Sequence, residues 1–577
     1  MYSHLSINVF PIFVIHNHHK DSRMKEIVEK SLIVLSFLYF IFYLCSNISI
    51  YFNSIYLFVL TIFWVIYYVV SKMKLEISPI LIFSLILLIY ACLQVVVLGE
   101  LEYKKSSLCF VFNFIVLLGL ISPIFQKHKI FVLKSYLFTM LLFYTILILL
   151  FCYRKIEMSL IIEQYFYNSG VFAVFITITM IIGSIYVREL KFRFFLFVNF
   201  ILLSLSFVCA FFLSSRTSLL ILTSYAFIAF VKRMKCKSIK KYLCLFAAIS
   251  FILVGLTFLC KKESTNGRFF IWKTSFYMVK DMPVLFGIGY NNFPVLYPKY
   301  QSLMYENGKM SKEEIYLVDN TSVAFNEYLQ IMIELGLIGL LLFILIIGIS
   351  IYHAGKYLEL YIAVCIAMLV SYLLHSTIIV YVLLLNFALV RTSLTLKMST
   401  KISVIIFVGF MILSLYMVHL SLNKIISSNN IAYLLKASPE KVNKYYSINE
   451  KFLCEEPVLL FKVAEYNYNI GNIDMAFNIV KNLDHILRND KIELFRGKCF
   501  LKKGNWKLGE KYILLSISIC PNRFINRYEL FKIYQANGLN FKSIEVAKEI
   551  FCLKEKVPSI HTFVIKNEIE KFLNENK

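Results

Sequence analysis

The residues best suited to chemistry in this chain are arginines and carboxylates that interrupt long apolar runs. Arg216 stands in "FLSSRTSLL" (211–219), with Ser214, Ser215, Thr217 and Ser218 around it. The loop between the two apolar runs on either side is so short that the guanidinium must sit at the membrane surface. Arginine presents a planar fork of donors that fits phosphate bidentately. With hydroxyls beside it, the group suits a pyrophosphate carried on a lipid tail. A snorkelling arginine that touches lipid headgroups is the plainer alternative.

A second arginine, Arg268, opens "NGRFFIWKTSFYMVKDMPVLFGIGYNNF" (266–293). Residues 268–281 are expected to form a short helix with Phe269, Trp272, Phe276 and Val279 on one apolar face, lying in the interface plane. Gly287 and Gly289 then form a lone Gly-X-Gly, without the strand–glycine–helix setting of a dinucleotide site. Further on, "DNTSVAFNEYLQIMIELGLIGL" (319–340) places Asn326, Glu327, Gln330 and Glu334 at spacings that share one helix face. Glu334 falls roughly 10 Å into the apolar run at the rise of a helix, so it must face the protein interior or a wet cavity. Asp319, Glu327 and Glu334 are the candidate catalytic carboxylates, able to deprotonate or orient a hydroxyl. Ser215, Arg216, Arg268, Asn326 and Gln330 are the candidate substrate-binding residues. Helix capping and inter-helix hydrogen bonding are the structural alternative for the stripe.

The surrounding composition says what positions these groups. The chain has 577 residues, 59% hydrophobic and only 16% charged, against about a quarter charged in ordinary soluble domains. A single water-soluble enzyme, a disordered chain and a disulfide-rich module are therefore excluded. Of the 13 cysteines, Cys45, Cys92, Cys209 and Cys365 sit in apolar runs as small hydrophobes. Cys454, Cys499, Cys520 and Cys552 show no CxxC or Cys/His spacing, so neither a zinc site nor a disulfide framework is expected.

Apolar runs near the length needed to cross a bilayer recur between Ser31 and Leu422. About thirteen spans are expected, roughly 31–46, 48–71, 78–98, 107–126, 130–152, 169–187, 193–214, 217–231, 242–260, 328–351, 357–376, 378–396 and 402–422. With a cytoplasmic N-terminus (1–30), the inside segments hold 22 basic and six acidic residues, and the outside segments up to residue 422 hold 13 and 12. That asymmetry follows the positive-inside rule. The formal charge of +25 thus orients the protein in membrane lipids and does not imply nucleic acid. The large loop 261–326 and everything after residue 422 face outside. No cleavable signal peptide is apparent, and Met24 is a candidate start. The near absence of ionisable residues within the spans argues against transport.

After residue 422 the composition turns polar and helical. Gly471, Gly504 and Gly538 recur at 33 and 34 residues between helical stretches such as "AEYNYNIGNIDMAF" (464–477). A period near 34 with glycine at the inter-helix turn resembles tetratricopeptide helix pairs. The expected architecture is all-α: a polytopic membrane bundle over 31–422, then a soluble helical repeat domain over 423–577. That domain either caps the membrane portion or docks an acceptor or protein partner on its concave surface.

The order of the SSR motif, "GRFFIWKTSFYMVKDMPVLFGIGYNNF" and "FNEYLQIMIELGLIGL" resembles the O-antigen ligase and polymerase family over about residues 200–400. The resemblance implies a glycosyltransferase-C-like fold in the bacterial inner membrane. It implies transfer of a glycan from undecaprenyl pyrophosphate to lipid A-core, another glycan or a protein hydroxyl on the periplasmic side, with no cofactor or obligatory metal. Arg216 and Arg268 match the arginines that handle the pyrophosphate. Many ligases carry His where this chain has Phe325, so Asp319, Glu327 or Glu334 would substitute, or no base is needed. A repeat domain on the acceptor side leans toward ligation. The alternatives are an O-antigen or capsule polymerase and, from another class, a non-enzymatic lipid-linked glycan flippase or membrane scaffold.

Overall fold

The computed structural model describes residues 18–45, 50–154, 166, 168–191, 193–233, 262–390, 395–435, 439–556 and 558–576. The regular secondary structure of the described residues is helical apart from one two-residue antiparallel pairing, Glu76–Ile77 against Leu396–Lys397. Eight described helices are long and apolar enough to cross a membrane: Arg23–Leu44, Phe52–Val70, Pro79–Val97, Leu101–Lys127, Lys129–Leu150, Ser169–Glu189, Glu327–His353 and Thr400–Leu434. The expected span at 242–260 lies outside the described residues. The expected spans 193–214 and 217–231 correspond to the 18-residue helices Phe195–Phe212 and Arg216–Arg233.

The runs 357–376 and 378–396 differ most from expectation. They fold as two 11-residue helices, Leu358–Met368 and Thr377–Phe387, separated by a short 3-10 turn over Leu373–His375. An 11-residue helix rises only about 16 Å, half of a hydrocarbon core. Hydropathy counts the apolar residues of both helices and of the turn alike, which is why each run reads as a full span.

Large aromatic side chains fill the core of the bundle. Phe37, Tyr39, Phe40, Trp64, Phe143, Phe175 and Tyr381 are almost fully buried in one cluster, and ring pairs such as Tyr39–Tyr381, 4.4 Å between centroids, tie distant helices together.

The helix Glu327–His353 is broken at Gly336, where φ is 67° and ψ is −169°. A break at membrane depth frees backbone groups that must find partners within the protein. The segment 284–289 supplies them. The Ile288 and Gly289 amides donate to the Ile333 and Glu334 carbonyls at 2.9 Å, and the Leu337 amide donates to the Val284 carbonyl at 2.9 Å. Gly287 and Gly336 meet so closely that a Cβ on either would collide with the other segment's backbone. The Gly-X-Gly is thus a packing surface for a broken helix.

The helix Thr400–Leu434 has 35 residues, about 52 Å long, and continues unbroken through the expected boundary at 422. Its Ile431 is buried in the first core of the C-terminal domain, with Val442, Leu460 and Ile479. Lys424, almost fully buried, donates to Glu455 Oε2 at 2.7 Å and to Ser106 Oγ at 2.6 Å, which clamps the junction. Beyond it, helices pack in successive pairs, Pro457–Asn469 with Ile473–Asn482, Asp490–Lys502 with Trp506–Ile519, and Phe524–Ala536 with Asn540–Cys552. Gly471, Gly504 and Gly538 turn each pair, at φ of 90°, 77° and 67°.

Candidate functional site

Arg216 is the first residue of the helix Arg216–Arg233, and the chain reaches it through Ser214, held at φ 49°. A non-glycine residue there costs energy and is retained where the surroundings fix it. Ser215, buried, bonds Ser218 Oγ at 2.9 Å, closing the first turn. The positive end of the helix dipole and the guanidinium therefore lie together, a combination that favours an anion.

Arg268 comes from the loop helix Lys262–Val279, longer at its N-terminus than the expected 268–281. Arg216 donates to Thr265 Oγ1, one turn before Arg268 on the same helix face. Arg268 donates to the Val370 carbonyl at 2.7 Å and lies 5.1 Å from the Phe325 ring centroid. Burial, and next the like charge of Arg216, push the Arg268 guanidinium below its ordinary pKa. Two mutually repelling cations held this way have an anion as their natural counterpart.

Both arginines line one cavity of about 540 Å³, within the usual range for ligand sites. Ser214, Ser215, Thr217, Asn168, Asn320, Thr321, Phe325 and Tyr372 share the lining, and Asp319 is its candidate catalytic carboxylate. Phe325 adopts φ 53°, and its ring meets Tyr372 edge-on at 5.0 Å.

The stripe lies behind this wall. Asn326 caps its helix by accepting from the Leu329 amide at 3.0 Å. Glu327 accepts from the Leu374 amide at 2.6 Å and faces His375 Nδ1 at 3.6 Å. Gln330 Nε2 lies 3.1 Å from both Glu334 Oε1 and His375 Nε2, and its Oε1 accepts from the Ala324 amide at 3.0 Å. Glu334 Oε2 accepts from the Asn291 amide at 2.9 Å. With Gln330 donating to His375 Nε2, the imidazole proton belongs on Nδ1, toward Glu327. Glu327, Gln330 and Glu334 are all buried and none lines the cavity. Their network fixes the segment 324–326, which carries Phe325, and the turn 373–375, which Tyr372 immediately precedes.

Three contributors carry little or no sequence signal. His375 is hidden in the apolar run "YLLHST", Tyr372 in the same run, and Lys556, which also lines the cavity, lies far off near the end of the sequence. Among the described residues no group of three His, Cys, Asp or Glu side chains is placed to hold a metal ion.

The chain matches no curated protein and no solved structure. Residues 168–344, which carry Arg216, Arg268, Asp319, Phe325 and the stripe, match the family model described as O-antigen ligase, and this supports a membrane protein that acts in glycan transfer.

Proposed function

We propose that the chain transfers a glycan from undecaprenyl pyrophosphate to a hydroxyl of lipid A-core or of a protein, at the periplasmic face of the bacterial inner membrane. The observation that carries this reading is the convergence of Arg216 and Arg268, from separate segments, on one cavity beside Asp319. The charge asymmetry of the loops supports the orientation, and the turn spacing of the C-terminal helix pairs supports a tetratricopeptide-like domain on the acceptor side.

In the reaction, the bond between the sugar anomeric carbon and the diphosphate oxygen breaks, and the acceptor oxygen bonds to that carbon. The two guanidiniums stabilise the departing diphosphate, preorganised by Thr265 and Val370 so that little reorganisation accompanies charge development. Asp319 takes the acceptor's hydroxyl proton. Glu327 and Glu334 act as positioning residues through the network behind Phe325 and Tyr372.

The test is reconstitution of the full chain in proteoliposomes with a polyprenyl-diphosphate-linked glycan and candidate acceptors. Glycosylated lipid A-core or protein plus free polyprenyl diphosphate is the expected outcome. Release of the lipid only with lengthened glycan makes the chain a polymerase. No release with any acceptor contradicts transfer.

A further inference from the structure

The outer loop and the C-terminal domain are stitched together around Asp319. Asn522 Nδ2 donates to the Tyr316 and Val318 carbonyls at 2.9 and 2.7 Å, Gln301 Nε2 donates to the Ile519 carbonyl at 2.7 Å, and Asn320 Nδ2 donates to Asp490 Oδ1 at 2.6 Å. Arg523 holds Asp319 Oδ1 at 2.6 Å, and Lys556 Nζ lies 3.2 Å from Oδ2. Lys556 also lines the cavity that contains Arg216 and Arg268.

The charges of that lining decide what Lys556 does. From the membrane portion and its loop come two guanidiniums, Arg216 and Arg268, and two carboxylates, Glu263 and Asp319. Alone they sum to zero, a poor match for a diphosphate bridging lipid and sugar, which carries two negative charges. Lys556 makes the lining net positive. Resting on the transfer reading above, we infer that Lys556 is a third cationic contact for the lipid-linked diphosphate, so that the C-terminal domain completes the donor site.

Lys556 is placed to do this without dismantling the wall. It donates to the Leu317 and Val318 carbonyls at 3.1 and 3.4 Å, contacts that hold it beside the cavity while its Asp319 contact is exchanged for the ligand. Arg523 keeps Asp319 paired when Lys556 turns to the ligand. Lysine serves phosphate as a compact, mobile point charge, where arginine serves as a fixed fork.

The test measures binding of farnesyl diphosphate to the full chain in phosphatidylcholine nanodiscs. Lys556→Gln, which keeps a donor for the loop carbonyls and removes the charge, should weaken binding at least ~10-fold, as expected for loss of a charge-assisted contact. Lys556→Arg should stay within about threefold of wild type. Asp319→Asn, which releases Lys556 from its carboxylate, should bind as well as wild type or more tightly.

Wild-type affinity in Lys556→Gln, with binding lost in Arg216→Ala, overturns the role of Lys556 alone. Equal weakening in Lys556→Gln and Asp319→Asn makes Lys556 a strut between domains and also overturns it. If the wild-type chain binds no diphosphate, or Arg216→Ala binds normally, the transfer reading fails as well. Should Lys556→Gln unfold at a lower temperature than wild type, Lys556→Met with a wild-type unfolding temperature takes its place.

Discussion

The Arg268 guanidinium lies 5.1 Å from the centroid of the Phe325 ring, at the position where many of the resembled ligases carry histidine. An aromatic face attracts a cation by about 0.5–2 kcal/mol, and here it holds the arginine beside the cavity in place of a titrating group. Phe325→Leu should therefore weaken donor binding by about 2- to 30-fold, read as a raised KM in the reconstituted assay. A lowered kcat at unchanged KM would place Phe325 in the chemical step.

Asp319 separates binding from chemistry. Asp319→Asn keeps the shape and the Arg523 contact but cannot take a proton. Transfer should fall by about 10²–10⁴, the usual contribution of a positioned acid or base, with donor binding intact. Transfer at a wild-type rate would mean that the departing diphosphate itself takes the hydroxyl proton.

Gly336 is irreplaceable where Gly348, in the same helix, is not. Gly336 has a positive φ and its added Cβ would strike the Leu285 carbonyl, whereas nothing stands within 4 Å of a Cβ at Gly348. Gly336→Ala should cost about 1–3 kcal/mol of stability, seen as a lowered unfolding temperature of the full chain in detergent. Gly348→Ala should be neutral or slightly stabilising. Equal behaviour of the two variants would contradict the broken helix.

Glu456, at the start of the helix Pro457–Asn469, has its carboxyl raised by burial from 4.5 to about 7. Between these values the folded chain keeps a proton that the unfolded chain has released, so this group's contribution to stability falls as pH rises from about 4.5 to about 7 and is level above. Glu456→Gln removes the dependence. The variant should gain in unfolding temperature over wild type between about pH 5 and pH 8. A constant difference across that range would show that the carboxyl titrates normally.

The local motifs were legible because chemistry interrupts hydropathy. Arg216 among hydroxyls, Arg268 at the head of an amphipathic stretch and the Asn326–Glu334 periodicity all stand out in an apolar chain. What stayed hidden depends on contacts between distant segments. Lys556 and Asp319 are 237 residues apart, and nothing near either predicts their meeting. The Gly336 break lies only two residues after Glu334 in a helical pattern that nothing interrupts, and the docking segment 284–289 that permits it is more than 40 residues earlier. The stripe's shared face was readable, but not that its carboxylates turn toward His375 and the Asn291 amide.

Transfer from a lipid-linked donor through Arg216 can be read by mass spectrometry of undecaprenyl-linked glycans in a strain lacking this chain, complemented with wild type or with Arg216→Ala. Loss of one preorganised stabilising group costs about 10²–10³ in rate. Lipid-linked glycan should therefore accumulate in the deletion strain, be cleared by wild type, and still accumulate with Arg216→Ala expressed at normal levels. An unchanged lipid-linked pool in the deletion strain, or full clearance by Arg216→Ala, would contradict transfer through Arg216.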